Sequence, residues 1–264
     1  KDYLFIPVKG EKVDGHKFIP QVFEKGAAAV LSEKPLDPEM EPYILVESTL
    51  QALKDIAEYY RSTLEIPVVG IAGSVGKTST KEMIASVLGR KYRVLKTEGN
   101  FNNEIGLPLT LLRIRDEHQA AVVEMGISDF GEMHRLAKMA RPDICVMTNI
   151  GLCHLENLKS RDGILKAKSE IFDFLKPEGK IILNGNDDKL STIQEVKGIR
   201  PIRYFVEDGT APKGDEEYFV TASDIKNLGL KGMDAVFHFP EETRKVHIPI
   251  PGAHNIYNAL AGAC

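Results

Sequence analysis

The segment GIAGSVGKTSTKEM, residues 70–83, constrains this chain more than any other. A β-branched apolar run, Ile66, Val68, Val69 and Ile71, precedes it and reads as a buried parallel strand. Met83, Ile84, Val87 and Leu88 follow it at helical spacing. A glycine-rich turn between strand and helix points backbone N–H groups, and the positive end of the helix dipole, at an anion. Gly73 and Gly76 supply the tight turn. Lys77 would reach the terminal phosphates of a nucleoside triphosphate, and Thr78 would place its hydroxyl on Mg²⁺. The full pattern G-x-x-x-x-G-K-[ST] asks for glycine where this chain has Ile71, so the match is to the shorter G-x-x-G-K-T. An ordinary turn into a helix competes for so short a string, and the flanking strand and helix favour phosphate.

The bulk properties exclude several alternatives. With 264 residues there is room for one large domain or two smaller ones. A hydrophobic content of 43% and a charged content of 27% describe a soluble globular protein. A net charge of −4 argues against nucleic acid as the main partner. No apolar run approaches the ~18 residues of a membrane span and no signal peptide opens the chain, so no membrane insertion is expected. Cys145, Cys153 and Cys264 form no C-x-x-C pair, which suits a reducing, cytoplasmic setting and argues against a disulfide framework or structural zinc. The chain begins at Lys1 and stops at Cys264 inside what reads as a helix, so it is expected to be a piece of a longer protein.

Residues 1–48 read as a small α/β unit: short apolar runs at 3–8, 28–31 and 43–46, an amphipathic stretch at 18–25, and a loop marked by Pro35, Pro38 and Pro42. Residues 49–61 read as a linking helix, with Leu50, Leu53, Ile56, Ala57 and Tyr60 at helical spacing. From residue 66 strands (66–72, 120–124, 144–150, 180–183) alternate with helices (77–89, 130–139, 161–175). That alternation predicts an α/β domain over 49–264, a mostly parallel sheet with helices on both faces. Ligands in such sheets gather at the carboxyl ends of the strands, where Gly73, Glu124, Asn149, His154 and Asn184 fall. After Tyr204 the polarity alternates, as at 235–239 and 245–250, which predicts an antiparallel appendage.

Several side chains carry candidate chemistry. Glu124 ends an apolar strand, where it could hold Mg²⁺ directly or through water, or sit in solvent as a strand-end acid. His154, in TNIGLCHLEN, reads equally as a surface residue or a metal ligand. Lys168 has Ile164, Leu165, Ile171 and Phe172 three and four residues away, in the middle of an apolar stripe, whereas Lys166 lies among Asp162, Ser169 and Glu170. A lysine so placed either snorkels or loses its charge. The neutral amine is nucleophilic and can capture CO₂ as a carbamate. Asn100, Asn102 and Asn103 precede an apolar helix, where they either cap it or hydrogen-bond a polar substrate. His254, Asn255 and Asn258 lie at a helix start. Asparagine suits the donor and acceptor edge of adenine, and capping by Asn255 is the alternative.

Taken together, GSVGKTSTKEM, GNFNNEIGLPLTLL, VVEMGISDFGEM, TNIGLCHLEN with RDGILKAKSEIF, and PGAHNIYNALAG resemble the Mur ligase family across essentially the whole chain. DGHKFIPQVFEKGAAAVL looks like the end of that family's first domain, which holds the uridine-diphosphate end of the substrate. The implied fold is a P-loop-type, mostly parallel sheet flanked by helices, preceded by a partial α/β domain. FNNEIGLPLTLL and EMG…GEM resemble the member that joins D-alanyl-D-alanine to UDP-N-acetylmuramoyl-tripeptide, rather than those adding diaminopimelate or lysine.

The implied reaction is ATP-dependent amide formation through an acyl phosphate, in peptidoglycan precursor synthesis. The resemblance implies that Gly73, Ser74, Val75, Gly76, Lys77, Thr78 and Ser79 hold the phosphates. It puts one Mg²⁺ on Thr78 and Glu124 and a second on Glu124 and His154, with Lys168 carried as a carbamate. It also places His254, Asn255 and Asn258 on the adenine side and Asn102 and Asn103 toward the substrate. The family's third domain is not matched, so the fragment is expected to be a monomer that binds nucleotide weakly and does not turn over. Competing readings are another amide ligase of the superfamily, such as one adding diaminopimelate or lysine or a folylpolyglutamate-synthase-like enzyme, and a nucleotide-binding module without ligase activity.

Overall fold

A computed structural model describes residues 2–10, 12–207 and 219–264. Contacts divide the chain into two units, Lys1–Thr63 and Leu64–Cys264. The first contains three short parallel strands, β1 (Leu4–Phe5), β2 (Ala29–Ser32) and β3 (Tyr43–Leu45), in spatial order β1-β2-β3, with helices α1 (Ile19–Glu24) and α2 (Thr49–Ser62). β1 is shorter than the apolar run predicts, because Pro7 has no N–H to give the ladder. α2 groups with this unit, whereas the sequence pattern puts the start of the second domain at residue 49. The reason is local: the Thr49 N–H donates to the Glu33 carboxylate at 2.9 Å and its hydroxyl donates to the Pro7 carbonyl.

The second unit is built on one sheet of nine strands among the described residues. They are β4 (Val68–Ala72), β5 (Val94–Lys96), β6 (Ala120–Glu124), β7 (Ile144–Met147), β8 (Lys180–Asn184), β9 (Ile202–Val206), β10 (Phe219–Asn227), β11 (Met233–His238) and β12 (Thr243–Ile248). Their spatial order is β12-β11-β10-β9-β8-β7-β4-β6-β5. β4 and β6 are buried at every residue, as expected of parallel strands covered on both faces. The helices are α3 (Lys77–Leu88), α4 (Gly106–Leu111), α5 (Glu132–Ala140), α6 (Leu155–Leu158), α7 (Arg161–Ser169) and α8 (His254–Ala263). Among the described residues no helix is long and apolar enough to cross a membrane.

The antiparallel appendage expected after Tyr204 is not separate. β9 runs parallel to β8, and β10 parallel to β9, and antiparallel pairing begins at β11. Tyr204, Ala222, Ala235 and Phe237 share one core with Val69 and Ile71 of β4, Ile84 of α3, and Ile256 and Leu260 of α8. Their alternating inward side chains therefore extend the sheet. At the other end of the order, β4 lies between β7 and β6. Connections leaving these neighbours diverge, which opens a crevice at their carboxyl ends.

Candidate functional site

The turn after β4 has the geometry a phosphate loop needs. Gly73 has φ +152°, and a Cβ there would lie 1.9 Å from the Thr148 hydroxyl oxygen. Gly76, at φ +81°, opens α3. Among the described residues the N–H groups of Gly76, Lys77 and Thr78 make no hydrogen bond, so three donors face outward at the positive end of a twelve-residue helix. The Lys77 ammonium folds back and donates to the Gly73 carbonyl at 3.0 Å. The segment leaving β7 laces to the same turn. Ser74 N–H donates to the Asn149 carbonyl and Val75 N–H to the Asn149 side-chain oxygen, both at 3.0 Å. The Val75 carbonyl accepts from Asn149 Nδ2 at 2.9 Å and from the Thr148 hydroxyl at 2.7 Å, and Ser74 Oγ accepts from Gly151 N–H at 2.9 Å.

Glu124 closes the metal side. Its carboxylate is 3% exposed and accepts from the Thr78 hydroxyl at 2.9 Å and from Asn102 Nδ2 at 2.8 Å. Gly126 leaves room for that amide: a Cβ there would stand 3.0 Å from the Asn102 side chain. The GNFNN and VVEMG strings thus meet in space. Among the described residues the carboxylate has no ion-pair partner, and two neutral donors do not balance a buried charge. A carboxylate and a hydroxyl side by side are hard oxygen donors of the kind Mg²⁺ takes, so the residues present fit that ion. The Glu124 N–H is anchored on Thr97 Oγ1 at 3.0 Å, and the Thr97 carbonyl accepts from the buried Lys81 ammonium at 2.7 Å. Sequence reasoning passed over Lys81. The signal was its position three and four residues before Ile84 and Ala85, on the inward face of α3.

His154 and Lys168 differ in how firmly they are placed. His154 is exposed, adopts φ +55° at the start of α6, and makes no side-chain hydrogen bond among the described residues. It does not contact Glu124 or Thr78 in a hydrogen bond, and the described residues hold no group of three or more His, Cys, Asp or Glu suited to a metal. It does follow directly on the segment laced to the loop, and Cys153 Sγ lies 3.1 Å from Ser74 Oγ. Lys168 is 1% exposed, so it does not snorkel. Burial lowers its pKa from 10.5 to about 8. The neighbouring Cys153 thiol opposes that shift and the Lys77 ammonium adds to it.

The asparagines divide by role. Asn103 Oδ1 accepts from the N–H groups of Ile105 at 3.1 Å and Gly106 at 2.9 Å, holding the start of α4, which is the capping alternative. A cavity of about 420 Å³ opens beside Val75 and Gly76, with His254, Asn258, Asn184, Asn186 and Tyr204 on its walls. Asn255 is not among them. Its Nδ2 donates to the Pro251 carbonyl at 2.9 Å and its Oδ1 accepts from Asn258 Nδ2 at 3.0 Å, while Asn258 Oδ1 accepts from the Thr80 hydroxyl at 3.0 Å. Asn255 is therefore a brace behind the cavity wall. It is not the helix cap either, a position taken by Ala253. Sequence reasoning missed Asn186, for which NGND at the end of β8 was the available signal, and Tyr204, for which no local motif was available.

Comparison with known proteins agrees with this geometry. Residues 71–264 match the model of the Mur ligase middle domain, and residues 1–61 match that of the Mur ligase family, catalytic domain. The UDP-N-acetylmuramoyl-tripeptide–D-alanyl-D-alanine ligase of Bacillus subtilis is 43% identical over 262 residues, 98% of this chain and 54% of that protein. Its Escherichia coli counterpart is 37% identical over 260 residues, 98% of this chain and 56% of that one. Among solved structures, MurF from Acinetobacter baumannii superposes with a TM-score of 0.89 at 34% identity, covering 99% of this chain and 56% of that chain. MurF ligase from Thermotoga maritima in complex with ADP gives 0.86 at 29%, covering 100% and 59%. The chain spans about half the length of the curated relatives it matches. Because the middle-domain match runs from Ile71 to Cys264, and so takes in the loop, Glu124 and the cavity at once, the chain belongs to the Mur ligase family.

Proposed function

We propose that this chain supplies the ATP-binding part of a ligase that joins D-alanyl-D-alanine to UDP-N-acetylmuramoyl-tripeptide. The relatives' names and the ADP-bound Thermotoga structure support the substrates. The observation that carries the chemistry is the buried Glu124 carboxylate, held by Thr78 and Asn102 at the end of a helix with free N–H donors. In the reaction the substrate carboxylate attacks the γ-phosphorus of ATP, the bond to the leaving ADP oxygen breaks, and an acyl phosphate forms. The amine of D-alanyl-D-alanine then attacks the acyl carbon and phosphate leaves, with the amine proton passing to solvent. Catalysis here is positioning and charge neutralisation.

Each residue has a part in that scheme. Lys77 leaves the Gly73 carbonyl for the terminal phosphates, while Gly76, Lys77 and Thr78 donate their N–H groups. Thr78 and Glu124 would hold one Mg²⁺, and Glu124 with His154 a second. Bound magnesium supplies neutralisation of the charge that builds on the transferring phosphoryl group. The Lys168 amine, after adding to CO₂ and giving up a proton, would stand as a carbamate anion on the same side. Asn102 acts through Glu124, and Asn103 holds the start of α4 next to it. His254 and Asn258 face the base.

The test uses the full-length protein: phosphate release from ATP should require both UDP-N-acetylmuramoyl-tripeptide and D-alanyl-D-alanine. Release with a folate substrate would favour the folylpolyglutamate-type reading, and no release with any acceptor would favour a plain nucleotide-binding module. In the 264-residue chain alone, ADP should bind without turnover, and Glu124→Gln should remove the gain in ADP affinity that Mg²⁺ gives over EDTA. An unchanged Mg²⁺ dependence in that variant would refute the metal assignment.

A further inference from the structure

The phosphate loop contains more N–H groups than it offers to an anion. Those of Ser74 and Val75 are already spent on Asn149, the first on its carbonyl and the second on its side-chain oxygen. Those of Gly76, Lys77 and Thr78 are unspent. The border between the two sets falls on the Val75–Gly76 peptide, and Asn149 holds it from both sides. Its amide oxygen takes the Val75 N–H while its amide nitrogen donates to the Val75 carbonyl. A side-chain amide is the one common group that can accept and donate through neighbouring atoms, so it clamps a single residue as a strand neighbour would. The Thr148 hydroxyl adds a second donor to the same carbonyl.

We infer that Asn149 is a positioning residue for nucleotide binding: it fixes the Val75 peptide so that three N–H groups at the start of α3 converge on the phosphates. This rests on the nucleotide-binding function proposed above and adds to it a residue outside the glycine turn. Without the clamp the Val75 carbonyl, left with the Thr148 hydroxyl alone, is free to turn toward the site, where it would present an acceptor to an anion. Gly76 on the far side of that peptide makes such a turn cheap, because glycine imposes no barrier of its own. The clamp replaces a barrier the loop sequence lacks.

The role is specific to phosphate. Asn149 also borders the cavity beside the loop, but both ends of its amide are engaged with Val75. Removing it should therefore leave binding of a base without phosphates in place. A residue that merely stabilised the fold would weaken every ligand alike or lower the melting temperature.

Isothermal titration of the 264-residue chain with ADP, inorganic tripolyphosphate and adenosine, each in Mg²⁺, separates these outcomes. Asn149→Ala should lose about tenfold in affinity for ADP and for tripolyphosphate, the size of one to two net hydrogen bonds, and leave adenosine unchanged. Asn149→Asp fills the same volume and keeps an acceptor for the Val75 N–H, but lacks the donor and brings a negative charge to the loop. It should lose at least as much for both phosphate ligands, and it carries the test if the alanine variant fails to fold. Equal affinities of wild type and Asn149→Asp for tripolyphosphate would overturn the inference, as would an equal loss for adenosine. A wild-type chain that bound neither ADP nor tripolyphosphate would instead refute the nucleotide-binding function, and the role of Asn149 with it.

Discussion

Replacing Lys168 by methionine should make the protein more stable at neutral pH and less functional. The Lys168 side chain is buried, and its pKa falls from 10.5 to about 8. A fall of that size corresponds to about 3 kcal/mol of penalty on the charged form in the folded state. Below pH 8 the lysine is protonated both folded and unfolded, and the whole penalty applies. Between about 8 and 10.5 the unfolded chain holds a proton that the folded one has released, so wild-type stability rises with pH. Above 10.5 both forms are neutral and the penalty is gone.

Methionine has nearly the same length and no charge, so Lys168→Met should gain about 3 kcal/mol at pH 7 and converge on wild type near pH 10.5. Urea denaturation followed by circular dichroism at intervals from pH 6 to 10.5 measures the gap. Lys166→Met, on the wet face of α7, is the control and should show no such convergence. A Lys168→Met variant less stable than wild type at pH 7, or a gap that does not vary with pH, would refute the reasoning. In ¹³C-bicarbonate with Mg²⁺, the wild type should also show a carbamate resonance that Lys168→Met lacks.

Other perturbations test the loop and its supports. Gly73→Ala should abolish ADP binding and cost about 2–4 kcal/mol in urea denaturation, since a Cβ meets the Thr148 hydroxyl and φ becomes unfavourable. Adding Thr148→Ala should recover part of that cost, and a double variant no better than the single one would contradict the clash. Asn255→Ala strands the amide of Asn258 and the carbonyl of Pro251, so it should lower stability by about 1–3 kcal/mol in the same assay. Cys145 is buried and its thiol is pushed well above the usual range, chiefly by burial, so peptide mass spectrometry should find it unalkylated until the protein unfolds.

What the sequence discloses here follows from what periodicity encodes. β4 and β6 are apolar without alternation because both faces are covered, and it is their five-residue length and their valines, not their periodicity, that separate them from a buried helix segment. Lys168 stands out because helical spacing alone places it among Ile164, Ile171 and Phe172. Alternation after Tyr204 correctly marks which side chains point inward, but it carries no information about which sheet they join, and α8 decided that. The same limit applies to Asn255 and Asn258. Both face inward on one helix, and the cavity touches the second and not the first. α2 reads equally well as linker or domain helix until Glu33 and Pro7 are seen to hold Thr49. Asn102 and Glu124 meet across 22 residues of chain through a gap left by Gly126, a relation no local pattern announces.

The bond from Thr80 to Asn258 joins residues 178 positions apart, and it braces the helix that carries the phosphate donors. During synthesis α3 leaves the ribosome long before α8 exists. Until then Ile84, Ala85 and the face of the sheet beneath them stand uncovered, a greasy surface on a growing polypeptide. Folding of the nucleotide site is thus postponed to the arrival of a distant helix, and a translation product halted before residue 254 would expose a sticky face, a target for chaperones and proteases.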